Sequence, residues 1–299
     1  MTYPIIEIPG NVSSQLEQLG TKAKVWYFNE QGLKVLFKEG RPGTGENWAE
    51  KVCCEICRML GIPHAEYELA VRGNRKGVIS PTFVPEDGRL ILGNELLAKV
   101  YTGYEESRTY QASHHTLRRV VAALDVLSPD FPVGWESPGR VKDSIGIFTG
   151  YLLLDALVGN QDRHHENWGV TNSQSQGLRL APTFDHASSL GRNETDENRF
   201  ERLQSKDAGR SVEHYCERAR SGLYKMTSGK KPMNTIFAFQ EAVKISPVAG
   251  QFWLERLGKI NAVDFEFIFN EIPDSEISET ARNFALKMLS VNQNRLLNL

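Results

Sequence analysis

The chain has 299 residues, with Lys+Arg 35 against Asp+Glu 37, a formal charge of −2. This balance provides no field that would hold nucleic acid or an anionic membrane. Hydrophobic residues at 40% and charged residues at 24% exclude disorder, and the longest apolar stretch, around Tyr151–Gly159, is interrupted by Asp155 and too short to span a bilayer.

In chain order, Lys24-Val-Trp-Tyr-Phe and Leu33-Lys-Val-Leu-Phe-Lys read as short strands joined by a turn at Asn29-Glu-Gln-Gly32. A glycine-rich loop, Gly40–Gly45, leads to a helix expected from Glu46 to Leu60. There Trp48, Val52, Ile56 and Met59 recur at helical spacing, and Gly61 is placed to end it. Strand-like pieces follow at Tyr67–Val71 and Gly77–Val84. Pro81, Pro85 and Gly88 then form a hinge, and from about Leu90 the pattern becomes helical. Asp143 or Ser144 caps a helix with an apolar stripe of Ile145, Phe148, Leu152 and Ala156, stopping at Gly159-Asn160. The polar segment from Gln161 to Asn198 carries short apolar runs at Trp168–Val170 and Leu178–Phe184. Helices are expected at Thr235–Ile245, Phe252–Ile260 and Ile277–Leu297. The expected fold class is α+β: a β-rich first lobe over residues 1–85 and a helical second lobe over 86–299.

The chemistry concentrates in Gly159-Asn-Gln-Asp-Arg-His-His-Glu-Asn-Trp168. Asp162 precedes Asn167 by five residues, directly after an apolar helix. Phosphoryl transfer needs a carboxylate that takes the proton of an accepting hydroxyl and a nearby amide oxygen on magnesium. The protein-kinase catalytic loop uses this interval. A polar inter-helix loop with capping Asp and Asn is the competing reading. Asp185, just beyond Leu180-Ala-Pro-Thr-Phe, supplies a second oxygen ligand for magnesium, or alternatively a turn after a strand. Lys38 ends an apolar strand, where it can neutralise ATP phosphates, and Glu50 on the next helix can pair with it. The bland alternative is an edge lysine and a solvated glutamate. Gly20-Thr21-Lys22-Ala-Lys24 has backbone amides and lysines suited to covering a triphosphate.

The chain resembles the HipA-like serine/threonine kinases, bacterial proteins that include toxin components of toxin–antitoxin pairs. The resemblance rests on Gly159–Asn167, on Phe184-Asp185, on Val35-Leu-Phe-Lys38, on Glu50 through Pro63, and on Gly20-x-x-x-Lys24. It implies a two-lobed protein-kinase-like fold with ATP and Mg2+ between the lobes. Asp162 would be the base, Asn167 and Asp185 the metal ligands, Lys38 the phosphate lysine, and His164 a brace for the loop. It also implies a protein substrate with a Ser or Thr acceptor and an antitoxin or other regulatory partner. The chain begins close to the phosphate loop, without the small N-terminal subdomain of full-length HipA toxins, which a separate partner would supply if it is needed. The serine that the family can autophosphorylate just before the loop glycine is replaced by Gln15–Leu19, with Ser13 and Ser14 further upstream.

Two other functions stay open. The Asp-Arg-His-x-x-Asn loop is shared with phosphoinositide kinases, so a lipid or small-molecule kinase is one, and a catalytically silent kinase-like binding module is the other. The basic stretch Lys206–Lys231 also holds Asp207, Glu213 and Glu217, a mixed solvated face rather than a membrane or nucleic-acid surface. Cys54-x-x-Cys57 lies within a helix without a second pair, so core cysteines are expected, and no metal is assigned to the His114-His115 and His164-His165 pairs. Crowded cysteines and the absence of a secretory leader point to the cytoplasm.

Overall fold

The structure, a computed structural model, describes residues 2–10, 12, 14–16, 24–107 and 112–299, with backbone alone at 14–16. The first part of the chain forms β1 (Ile5–Glu7), β2 (Ser14–Leu16), β3 (Lys24–Phe28), β4 (Lys34–Glu39), α1 (Glu46–Leu60), β5 (Glu68–Arg72) and β6 (Arg75–Pro81). The strands make one sheet in the order β1-β5-β6-β4-β3-β2. It is antiparallel except where β1 lies beside β5. In the turn between β3 and β4, the Asn29 carboxamide oxygen accepts from Gln31 N and Leu33 N. Alternation then sends Val35 and Phe37 to one sheet face, where they pack with Ile8, Tyr27, Ala70 and Ile79. Lys38 goes to the other face, which α1 covers. A one-residue slip would turn Lys38 away from that helix, so the hydrophobic pattern of the hairpin is also what aims the lysine.

The helix α1 has the expected bounds and closes at Gly61 in the left-handed conformation. It is not a half-exposed amphipathic helix, however: Glu46, Glu50, Lys51 and Glu55 are buried with its apolar residues. Lys51 is offset by Glu55 and Glu68, each at 2.7 Å.

The second part contains β7 (Gly88–Leu92), α2 (Gly93–Val100), α3 (Leu117–Leu127), α4 (Ser144–Val158), β8 (Gly169–Ser173), β9 (Gly177–Leu180), α5 (Asp196–Gln204), α6 (Val212–Glu217), α7 (Thr235–Ile245), α8 (Pro247–Leu257), α9 (Ala262–Glu271) and α10 (Glu279–Leu297). The expected turn to helix at Leu90 is corrected here. Residues 88–92 form β7, which pairs with β8 and through it β9 in a three-stranded antiparallel sheet. A five-residue apolar run carries no period that separates strand from helix, and its partner lies some 80 residues away. α8 begins earlier than expected because Pro247 starts it, where a missing N–H is harmless.

α4 is the axis of this half. Asp143 caps it through Gly146 N at 2.7 Å, as expected, and Gly159 ends it. Its surface is buried nearly all round against α3, α7, α8 and α10, so the expected stripe is a full cylinder. A single apolar core runs from α1 through α4 to α7–α10. Among the described residues, no helix is long and apolar enough to cross a membrane.

Candidate active site

Four elements converge where α1 faces the sheet. Lys38 Nζ lies 2.9 Å from Glu50 Oε2 and 2.5 Å from Asp185 Oδ1. Glu50 is itself held, because its other oxygen accepts from His186 N at 2.6 Å. Burial by itself would push the Lys38 ammonium down, but the carboxylates of Asp185 and Glu50 overcome it and keep the lysine charged, above its usual value. Lys24 stands directly across from Lys38 in the β3–β4 ladder and reaches Asp185 Oδ2 at 3.9 Å. Like charges opposite one another destabilise a sheet, and here one carboxylate lies against both. Asp185 sits at φ +58, in the left-handed region uncommon for a residue with a side chain, and its N–H donates to the Tyr67 hydroxyl.

The loop after α4 is built on a buried ion pair. Arg163, fully buried, donates Nε to Asp155 Oδ2 and Nη2 to Asp155 Oδ1, both at 2.8 Å. It also donates to Asn167 O at 2.6 Å and to Thr183 Oγ1 at 2.9 Å, so one guanidinium ties α4, the loop after it and the segment just before Asp185. Asn160 completes Asp155 from the side at 2.8 Å. Asn167 Nδ2 donates to Asp162 O at 2.6 Å; because that carbonyl can only accept, the amide orientation is determined and Oδ1 is turned the other way.

Around the Asp162 carboxylate, the Ser188 hydroxyl donates to Oδ2 at 3.3 Å, and His164 Nε2 lies 3.5 Å from Oδ1. His164 Nδ1 accepts from Glu166 N, which leaves the proton on Nε2, facing Asp162. Burial pushes His164 below its ordinary value, which favours the neutral ring. Behind it, His115 donates Nδ1–H to Gly222 O and accepts from Trp168 Nε1, and His165 contacts the Tyr104 hydroxyl at 2.7 Å. Burial drives His115 down to about 3 and His165 to about 4. These bonds and the neutral rings accord with a structural role.

Lys38, Glu50, Asp162, His164, Asn167, Asp185 and Lys24 are therefore brought into one connected region, linked by Lys38–Asp185, Ser188–Asp162 and the Gln161 N to Ser188 O bond at 3.2 Å. Gly20, Thr21 and Lys22 lie outside the described residues, as do Ser13 and the side chain of Ser14. The Gly40–Gly45 loop tethers α1: Gly45 N donates to Arg192 O, and Glu46 receives both Arg41 and Arg192. Sequence reasoning missed Arg163, Tyr67, His186, Ser188 and Arg192. Only Arg163 had a signal, since an acid inside the apolar helix α4 requires a buried cation. The four cysteines are buried and free, and those of α1 lie in the core as expected.

The model of the HipA-like C-terminal domain matches residues 19–244. The serine/threonine-protein kinase CtkA of Helicobacter pylori is 27% identical over 179 residues, covering 57% of this chain and half the length of that relative. The crystal structure of the H. pylori proinflammatory kinase CtkA superposes with a TM-score of 0.72 at 19% identity, covering 99% of both chains. HipA of Shewanella oneidensis MR-1, solved with HipB and operator DNA, superposes at 0.56 and 13% identity, covering 95% of this chain and 65% of that one. These structures carry the fold, an α+β architecture of the protein-kinase kind. With well over half its length matched by the family model, the chain belongs to the HipA-like C-terminal domain family.

Proposed function

We propose that the chain is an ATP- and magnesium-dependent kinase that phosphorylates serine or threonine hydroxyls on a protein substrate. The observation that carries this reading is Lys38 held between Glu50 and Asp185 beside the Asp162–Asn167 loop. ATP would lie between the six-stranded sheet and the helical part, with the lobe boundary near residue 85. Lys38 and Lys24, with Gly20, Thr21 and Lys22 as the phosphate loop, would bind the phosphates, and Lys38 would exchange its contact with Asp185 for one with phosphate. The donor set fits magnesium, since Asn167 Oδ1 and the Asp185 carboxylate are hard oxygens. Bound there, the ion would offset charge on the phosphates.

Asp162 would orient the accepting hydroxyl and take its proton as the new O–P bond forms and the bond to ADP breaks. His164 and Ser188 hold that carboxylate in place. Because HipA is known in complex with HipB, we extend to this chain a cytoplasmic toxin role with an antitoxin-type protein partner.

The test is Asp162→Asn, assayed with labelled Mg-ATP and bacterial extract. Transfer to protein hydroxyls should fall by about 10²–10⁴-fold while the Mg-ATP thermal shift persists. Transfer at the parental rate removes Asp162 as the base. Label appearing in lipid rather than protein overturns the substrate class, and no transfer by the parent overturns the enzyme.

A further inference from the structure

Behind the candidate active site, one turn beyond Glu50 on α1, Cys54 faces the loop that leads to β5. Its Sγ lies 3.6 Å from Glu66 Oε2, and His64 Nε2 lies 3.5 Å from Glu66 Oε1. The three ligand atoms are within 4.8 Å of one another, and among the described residues this is the group of sulfur, imidazole and carboxylate donors gathered so closely. A tetrahedral zinc ion with bonds of about 2.3 Å to sulfur and about 2.0 Å to nitrogen and oxygen has ligand–ligand edges of about 3.3–3.5 Å. The Sγ–Oε2 and Nε2–Oε1 separations of 3.6 and 3.5 Å are near such edges, and the other ligand distances, within 4.8 Å, would close on metal binding.

The surrounding contacts prepare each ligand. His64 Nδ1 is 2.7 Å from Ile62 O, which can only accept, so Nδ1 carries the proton and Nε2 presents its lone pair. That Nε2 is buried and makes no hydrogen bond among the described residues, on a side chain only 9% exposed. A lone pair aimed at a carboxylate oxygen is repulsive unless a cation lies between them. Tyr67 N donates to Cys54 Sγ at 3.4 Å, while burial and the Glu66 carboxylate push the thiol up to about 12, so a bound metal has to displace its proton. Arg58 occupies Glu66 Oε2 and leaves Oε1 on the histidine side. Glu66 is half exposed, which opens a path from solvent.

We propose that Cys54, His64 and Glu66 bind a divalent transition metal of the zinc type, with water or an added ligand in the fourth position. The metal–sulfur bond forms as the thiol proton leaves to solvent; imidazole and carboxylate coordinate without losing a proton. Cys57, the other half of the Cys-x-x-Cys pair, is not part of the site. The ion would clamp α1 to the segment carrying Tyr67, whose hydroxyl receives Asp185 N, and so would brace the candidate active site from behind. The site does not depend on the kinase reading.

The test is to titrate the metal-stripped chain with Co2+. Expected are a near-ultraviolet thiolate-to-cobalt band, visible absorption of tetrahedral intensity, bleaching by Zn2+, and release of about one proton per ion. Cys54→Ser should abolish the near-ultraviolet band. His64→Gln and Glu66→Gln should each weaken binding at least as much as loss of an outer-shell contact, about 10–100-fold, and Arg58→Gln should fall within that range. Because Glu66 and Arg58 are about half exposed, those two variants keep the test valid if Cys54→Ser fails to fold. The proposal is overturned if the parent shows no thiolate band, if the band survives in Cys54→Ser, or if both His64→Gln and Glu66→Gln bind at parental affinity.

Discussion

Replacing Asp155 with Asn should be among the most damaging isosteric changes in this chain, although Asp155 touches no substrate in the proposed mechanism. The carboxylate is 1% exposed and its partner Arg163 is fully buried. It accepts from Arg163 Nε, Arg163 Nη2 and Asn160 Nδ2, all at 2.8 Å. The amide keeps the shape but turns one acceptor into a donor facing another donor, and leaves the guanidinium charge buried without compensation. Removing one member of a buried pair typically costs about 3–5 kcal/mol, a large part of the roughly 5–15 kcal/mol that holds a folded chain together. At about 2–4 °C per kcal/mol, the melting temperature should fall by roughly 6–20 °C in a thermal scan followed by circular dichroism. A double variant, Asp155→Leu with Arg163→Met, removes both charges and should recover much of the loss. It should nevertheless transfer phosphate poorly, because Asn167 O and Thr183 Oγ1 lose the donor that positions them. An Asp155→Asn protein melting within about 2 °C of the parent would refute the buried-pair argument.

Lys38→Met should abolish the stabilisation by Mg-ATP that the proposed function expects of the parent, about 2.7 kcal/mol at a hundredfold excess over Kd; a retained shift removes Lys38 from the phosphate site. Stability should decline between pH 6.5 and 5. His115 and His165 titrate near 3 and 4 when folded but near 6.5 when unfolded, so the unfolded chain takes up protons first as pH falls. The contribution of each is complete above about pH 6.5 and is lost toward the folded values, on the order of 2 kcal/mol apiece at pH 5. Equal urea-unfolding free energies at pH 7.5 and 5.0 would contradict this. Gly222→Ala places a Cβ 2.4 Å from Arg163 O and 2.6 Å from His164 N, so overpacking of about 1–3 kcal/mol and impaired transfer are expected. Parental melting and turnover in that variant would show that the two loops do not press on each other.

Local signals carried much of this molecule. The β3–β4 hairpin follows from alternation around an Asn-containing turn, and α1 and α4 follow from periodicity bounded by Gly61, Asp143 and Gly159. The pairing of Lys38 with Glu50 was legible because a lysine on an apolar strand and a glutamate on the next helix are only twelve residues apart. The Asp162–Asn167 interval was equally local, being one loop after one helix.

Other features depend on groups remote in sequence, and no local pattern encodes them. Whether Gly88–Leu92 is a strand depends on β8, whose backbone supplies its hydrogen bonds. The all-round burial of α1 and α4 depends on α7–α10 closing over them, so their charged residues look solvent-facing until their partners arrive. Arg163 had one signal in the sequence, the acid inside the apolar helix before it, but its full set of partners had none. It becomes a keystone only when Asp155, Asn167 and Thr183 surround it in the fully buried position, where a guanidinium must be matched donor by donor. The same holds for Cys54, His64 and Glu66. Turning α1 into the loop before β5 juxtaposes three ordinary residues, because lone pairs and charges interact through distance in space rather than along the chain.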